Sequence, residues 1–162
     1  MTRPGGDPAS CSQLGGALRR QSELVGTLAQ APEALPAART IAGRLDTAGA
    51  ALQRYATELA EVHDAVRSIG AEVTASGLEL DGWTVVEPWG PTTAEIAGRR
   101  RAAMRSAQER LDAVRAQLAR CRAPLERTAA AVTEALAADS AHLRPELGAG
   151  VGAGNLQRHS AH

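Results

Sequence analysis

The chain predicts an all-α protein. Its frame is a long antiparallel coiled-coil helical hairpin, with a third, shorter N-terminal helix and a small β-hairpin or ordered loop at the tip. Three observations carry that prediction. Ile41, Leu45, Ala48, Leu52, Tyr55, Leu59, Val62, Val66, Ile69 and Val73 follow one another at alternating steps of four and three. Met104, Ala107, Leu111, Val114, Leu118, Cys121, Leu125, Thr128, Val132 and Ala135 do the same. Alternation of three and four places each set on one seam of a helix. Between the two seams lies Asp81-Gly82, flanked by the alternating runs Leu78-Glu79-Leu80 and Trp83-Thr84-Val85-Val86. That is the pattern of a tight hairpin.

The first helix is expected over about 8–30. Asp7 is placed to cap the free N–H groups, and Pro8 suits the first helical position. Leu14, Leu18, Val25 and Leu28 mark its apolar face. Gly15, Gly16 and Gly26 each weaken it by roughly 1 kcal/mol relative to Ala, and they permit close backbone contact with a neighbour. Such a helix needs a partner to lean on. It should return antiparallel to the second helix and stop beside Leu52 to Thr57. The lower half of the hairpin is then expected to be a three-helix bundle, and the upper half a two-helix seam with wet apolar flanks.

The second helix is expected over about 36–76, with Gly77 as its stop. At 1.5 Å per residue it is roughly 60 Å long. The third should span about 92–138. Thr92-Thr93-Ala94-Glu95 has the spacing of a capping box. Pro124 removes a backbone donor and crowds the Arg120 carbonyl, so a kink or short break is expected there. Residues 8–140 thus read as one helical hairpin domain. Residues 1–7 and the Gly/Ala-rich 141–162 read as disordered ends.

Asp81-Gly82 is expected to fill both central positions of a type I′ turn in the 77–91 tip loop. Both Trp residues of the chain, Trp83 and Trp89, lie in this loop. Trp is favoured at interaction hot spots, and equally able to plug the open end of a hairpin.

Composition excludes more than it assigns. Net charge is zero, so bulk electrostatics gives no reason to expect nucleic acid or an anionic membrane as partner. Every basic residue is Arg, and Asn155 is the only Asn, a bias of GC-rich genomes such as actinobacterial ones. No apolar run is long enough to span a bilayer, and the start lacks the apolar core of a secretory signal. Cytoplasmic location is the default, with leaderless export open.

Cys11 and Cys121 form neither a disulfide scaffold nor a metal site. Cys121 reads as a small buried hydrophobe, although the two thiols fall at similar heights and a disulfide is conceivable. His63, His142, His159 and His162 do not cluster at ligand spacing. No nucleophile–base pairing and no phosphate loop is present, so no catalytic residue, cofactor, metal or small-molecule substrate is assigned and no enzyme activity is expected.

Arg99, Arg100, Arg101, Arg105, Arg110 and Arg115 resemble a basic patch at the start of the third helix. An antiparallel pairing would set Glu72 near Arg101 and Glu58 near Arg115, and complementary flanking charges fix register. That reading is preferred over nucleic-acid binding, since no aromatic residues interleave with the Arg residues. The candidate partner surface is the upper half of the hairpin plus the Trp loop, represented by Trp83, Trp89, Val62, Val66, Ile69 and Ile96. Its partner would be a second copy or another protein, as a homo- or heterodimer.

Helix, Trp-containing turn, helix, in an Ala-rich chain, resembles the WXG-type helical-hairpin proteins of type VII secretion. Asp7-Pro8 followed by Leu14-Gly15-Gly16-Ala17-Leu18-Arg19 is similar to first-helix starts in such proteins. The resemblance covers mainly 36–140 and implies export as a helical dimer. Trp83 is followed by Thr84-Val85 and Trp89 by Gly90-Pro91, so the Trp-x-Gly motif is absent. Tyr55 has Leu59 four positions on, where the family's export signal carries an acid. The function expected is therefore a non-enzymatic protein–protein interaction module, in its most specific form a secretion-associated hairpin. A cytoplasmic structural or regulatory coiled-coil homo-oligomer is the alternative, and nucleic-acid binding through the third helix a distant third.

Overall fold

The computed structural model describes residues 6–30 and 36–152, with side chains up to residue 141 and excepting Leu28. Three helices and one two-stranded sheet follow in the order α1 (Pro8–Leu28), α2 (Pro36–Ala75), β1 (Glu79–Asp81), β2 (Thr84–Val86) and α3 (Ala94–Gly152). The all-α class holds, with the small antiparallel sheet where the sequence places it.

Local chemistry sets the helix ends. Asp7 caps α1 by accepting from the Ser10 N–H at 3.0 Å, and Pro8 opens the helix. At the far end of α2, Gly77 adopts φ +67°. The Gly77 N–H then reaches the Thr74 carbonyl and the Leu78 N–H the Val73 carbonyl, both at 3.0 Å. This is a Schellman closure, and Leu78 and Val73 supply its apolar contact inside the core. α3 departs from its expected cap. Thr93, one residue later than Thr92, accepts from the Ile96 N–H at 3.4 Å and starts the ladder through Ala97. Ile96 then occupies the position a capping-box Glu would need, and Glu95 pairs instead with Arg99 at 3.2 Å.

α2 and α3 run antiparallel. Glu72 near the top of α2 pairs with Arg110, and Arg44 near the bottom pairs with Asp139 and donates to the Ala135 carbonyl at 2.7 Å. The register differs from the expected one, because Arg110 replaces Arg101 opposite Glu72. The first turns of α3 stand beyond the end of α2, beside the β-hairpin, where Arg100 approaches Glu87 at 3.5 Å and lies against Gly77. Glu58 accordingly sits by Cys121 and not Arg115. α3 passes Pro124 without a break and extends to Gly152, well past the end expected near residue 138. All twenty seam residues named from the sequence are buried or half-buried.

The distribution of burial reverses one expectation. Leu59, Val62, Ile69, Val73 and Leu111 are fully buried, and all lie in the upper half. The β-hairpin closes this end: Leu78 and Val85 join the core, with Leu80 and Trp83 packed against it. In the lower half, Ile41, Leu45, Ala48, Leu52, Leu125, Thr128, Val132 and Ala135 are only half-buried. α1 does not complete a three-helix bundle there. It packs on α2 and barely approaches α3.

The α1 contacts fall on a second stripe of α2. The Ser22 hydroxyl donates to the Ala42 carbonyl at 2.8 Å, Arg19 pairs with Asp46 at 3.1 Å and reaches Gln53 at 3.3 Å, and Gly15 meets Gly49 backbone to backbone. At 100° per residue this stripe, one position on from the seam, lies about 100° around α2 from it. Gly15 and Gly49 are both buried, as close approach requires, whereas a Cβ on Gly26 would meet open space. Leu14, expected on the buried face, is exposed with Leu24, because small and polar residues face α2 instead.

Candidate functional site

α1 is shorter than α2, and its cross-contacts bring its first turn about level with Thr57, as the sequence suggests. Above that level the α1-facing stripe of α2 is uncovered. The stripe keeps its phase: Ala42, Asp46, Gly49, Gln53 and Ala56 lie under or beside α1, and Ala60, His63, Arg67, Gly70 and Thr74 continue at the same alternation of four and three. This second periodicity, built from small and polar residues, is a signal that hydrophobic patterning passes over.

The uncovered stretch is the floor of an open groove of about 1710 Å³. Asp7, Pro8 and Ala9 of α1 form its lower end, and Leu78 to Trp83 form its upper end. Val66 lines it at the border with the seam. Among the described residues its carboxylates are Asp7, Asp64, Glu79 and Asp81 and its guanidinium is Arg67, which pairs with Asp64 on the same helix.

Besides its core contacts, the β-hairpin that forms the upper end is tied to α3 by one side chain that sequence patterning does not single out. Asp81 pairs with Thr84, so the two-residue loop is Gly82-Trp83, not Asp81-Gly82. Gly82 has φ +58° and no non-glycine residue among the described residues has positive φ, which fits a type II′ turn with Gly first and excludes the expected type I′. The outward edge of β2 is taken by Gln108 of α3. Its Oε1 accepts from the Val85 N–H at 3.0 Å, and its Nε2 donates to the Trp83 carbonyl at 3.0 Å. The side-chain amide stands where a third strand would, and Asp112 accepts from Nε2 at 3.1 Å. A lone Gln on a polar helix face carries no mark in sequence that distinguishes it from a solvated one.

The sequence-derived partner set divides. Trp83 and Val66 meet in the groove, each half-buried. Val62 and Ile69 belong to the seam, buried between α2 and α3, and so are corrected from surface to core. Both are heptad positions of α2 and cluster with Ala107, Leu111 and Val114 of α3. Trp89 is fully exposed and Ile96 partly so, both outside the groove walls. Trp83 thus acts as a plug against the core while Trp89 does not.

The Arg residues of early α3 also divide. Arg99, Arg100 and Arg110 have acidic partners, and Arg101 donates to the Ala97 carbonyl at 3.3 Å. Cys11 and Cys121 are free thiols, both half-buried. Burial, followed by a hydrogen bond with Glu58, pushes the Cys121 thiol above its ordinary value. Burial likewise raises Tyr55, with the Cys11 charge next in weight. No helix among the described residues is long and apolar enough to cross a membrane.

No protein-family model, curated protein or solved structure matches the chain.

Proposed function

We propose that the chain is a non-enzymatic protein–protein interaction module, a coiled-coil hairpin that meets its partner at the tip. The observation that carries this reading is the groove. A cleft of about 1710 Å³ walled by a half-buried Trp and floored by an uncovered helix face suits a protein segment. The exposed Trp89, in the same tip loop, adds an aromatic anchor of the kind that dominates binding energy. In its most specific form the module is a secretion-associated hairpin, a reading supported by the order helix, Trp-bearing turn, helix.

A homo-oligomeric structural coiled coil is the second reading. It is favoured by Leu14 and Leu24, which stand exposed on α1. Size-exclusion chromatography with light scattering separates these cases. The protein is run alone and mixed with lysate of its native cell, as wild type and as the Trp89→Ala/Val66→Arg variant. The proposal expects a mass above that of the monomer in the mixture, lost in the variant. A monomer under all conditions, or a complex indifferent to the variant, refutes it. A dimer of the purified chain that Leu14→Glu/Leu24→Glu dissociates selects the second reading.

A further inference from the structure

The groove floor continues an interface that already exists in the molecule. α1 lies on the lower part of the α2 stripe, with Gly15 against Gly49. The upper part, from Ala60 to Thr74, has the same phase and similar small residues, and nothing among the described residues covers it. A Cβ on Gly70 would meet only Leu80 Cδ2, at 3.8 Å, so this glycine is not spent on packing within the chain. A helix can therefore approach here as closely as α1 does below. The space from Ala60 to Ala75 is roughly 22 Å along the axis, room for about four helical turns.

Charge narrows the occupant. Within the groove Asp64 and Arg67 pair with each other. Glu79 and Asp81 have no ion-pair partner among the described residues, and β1 holds both at the upper end. α1 shows the local precedent, since Arg19 clasps Asp46 beside the glycine contact.

We infer that the groove docks a helix of a partner protein, about four turns long, with small residues on one face and Arg or Lys on its flanks, laid along Ala60–Thr74 in line with α1. The inference rests on the tip being an interaction surface, and it adds the partner's chemistry. A second copy is the less fitting occupant. The small-residue face of its α1 is already used on its own α2, and the face left over carries Leu14 and Leu24.

The test is a selection. A phage-displayed library of four-turn helical peptides, randomised on one face and its flanks, is panned on the full chain. Enriched helices are expected to carry Ala, Gly or Ser at steps of three and four and a net positive charge. Synthetic copies should bind the wild type and lose at least tenfold in affinity against Gly70→Leu and against the Glu79→Arg/Asp81→Arg pair. Gly70→Leu fills the floor, and its melting temperature should not fall below wild type. Ala71→Arg, at an exposed position, serves as the second floor variant.

Acidic winners, winners that bind both floor variants as well as wild type, or no winner at all overturn the inference. Binding lost in Trp89→Ala but kept in Gly70→Leu also overturns it, while leaving the tip as an interaction surface. A wild-type dimer that Gly70→Leu dissociates overturns it in favour of a second copy. Failure of the broader reading shows separately, as a monomer in every light-scattering mixture.

Discussion

Gly49→Ala is the sharpest probe of how α1 is held. A Cβ built on Gly49 would lie 2.8 Å from the Gly15 carbonyl oxygen and 2.6 Å from Arg19 Cγ. The Arg19 side chain can swing away, but the carbonyl belongs to a helix. To restore ordinary contact near 3.4 Å, α1 must move off by more than half an ångström along its whole contact line. Overpacking of this kind costs about 1–3 kcal/mol. The replacement also gains about 1 kcal/mol of helix propensity, which masks part of that cost.

Gly43→Ala is the internal reference. It lies on the same helix, receives the same methyl group and meets nothing within 4 Å, so it shows the propensity gain alone. The difference between the two variants isolates the steric term and should be about 1–3 kcal/mol, with Gly49→Ala the less stable. Urea unfolding followed by circular dichroism measures both. The Gly15→Ala/Gly49→Ala pair should cost less than the sum of its members, because α1 has already moved when the second methyl arrives. If Gly49→Ala stabilises the chain as much as Gly43→Ala does, the backbone contact is not present in solution and the reasoning fails.

Other outcomes follow from the tip and from the charges. Gln108→Leu strands the Trp83 carbonyl and the Val85 N–H. It should cost about 1–3 kcal/mol and red-shift the Trp emission as the hairpin lifts. Trp83→Ala should cost about 2 kcal/mol, since its ring is half-buried against the core, whereas Trp89→Ala should stay within about 0.5 kcal/mol. Glu72 is held below its ordinary value of 4.5, first by the hydrogen bond from Arg110. The contribution of the pair is therefore present above pH 4.5 and lost as pH falls through the lower folded value. Melting curves of wild type and Glu72→Gln should differ at neutral pH and converge in acid, and a gap that persists in acid would contradict this assignment. Cys121, raised by burial, should react with iodoacetamide more slowly than a free peptide thiol at neutral pH, as thiol counting against time will show.

What the sequence made legible was the part written as repeated residue types. The heptads of α2 and α3 name seam positions that the fold buries fully or in part, and Asp7-Pro8 and Gly77 name real helix ends. Offsets between elements were harder. Glu72 meets Arg110 because the first turns of α3 overshoot the end of α2, and heptad phase does not say by how many turns. The turn moved by one residue for a related reason: Asp-Gly signals a turn, but the strand register decides which two residues fill it. The groove was half legible. Trp83 and Val66 belong to it, whereas Val62 and Ile69, on the same helix as Val66, face inward. Gln108 was invisible, since its role exists only once β2 lies beside α3.

The antiparallel hairpin also sets an order of folding events. The Glu72–Arg110 contact closes a sequence separation of 38 residues, and the Arg44–Asp139 contact one of 95. Closing the longer loop first would cost about 0.8 kcal/mol more in chain entropy. The largest fully buried side chains cluster at the end where closure is cheapest, and the β-hairpin brings Leu78 and Val85 into one cluster with Val73. Zippering should therefore begin at the tip and run toward the base, with the Arg44–Asp139 end forming late and opening early. Amide hydrogen exchange should follow that gradient, with slow sites around Leu59, Ile69 and Leu111 and progressively faster ones toward Ile41 and Ala135.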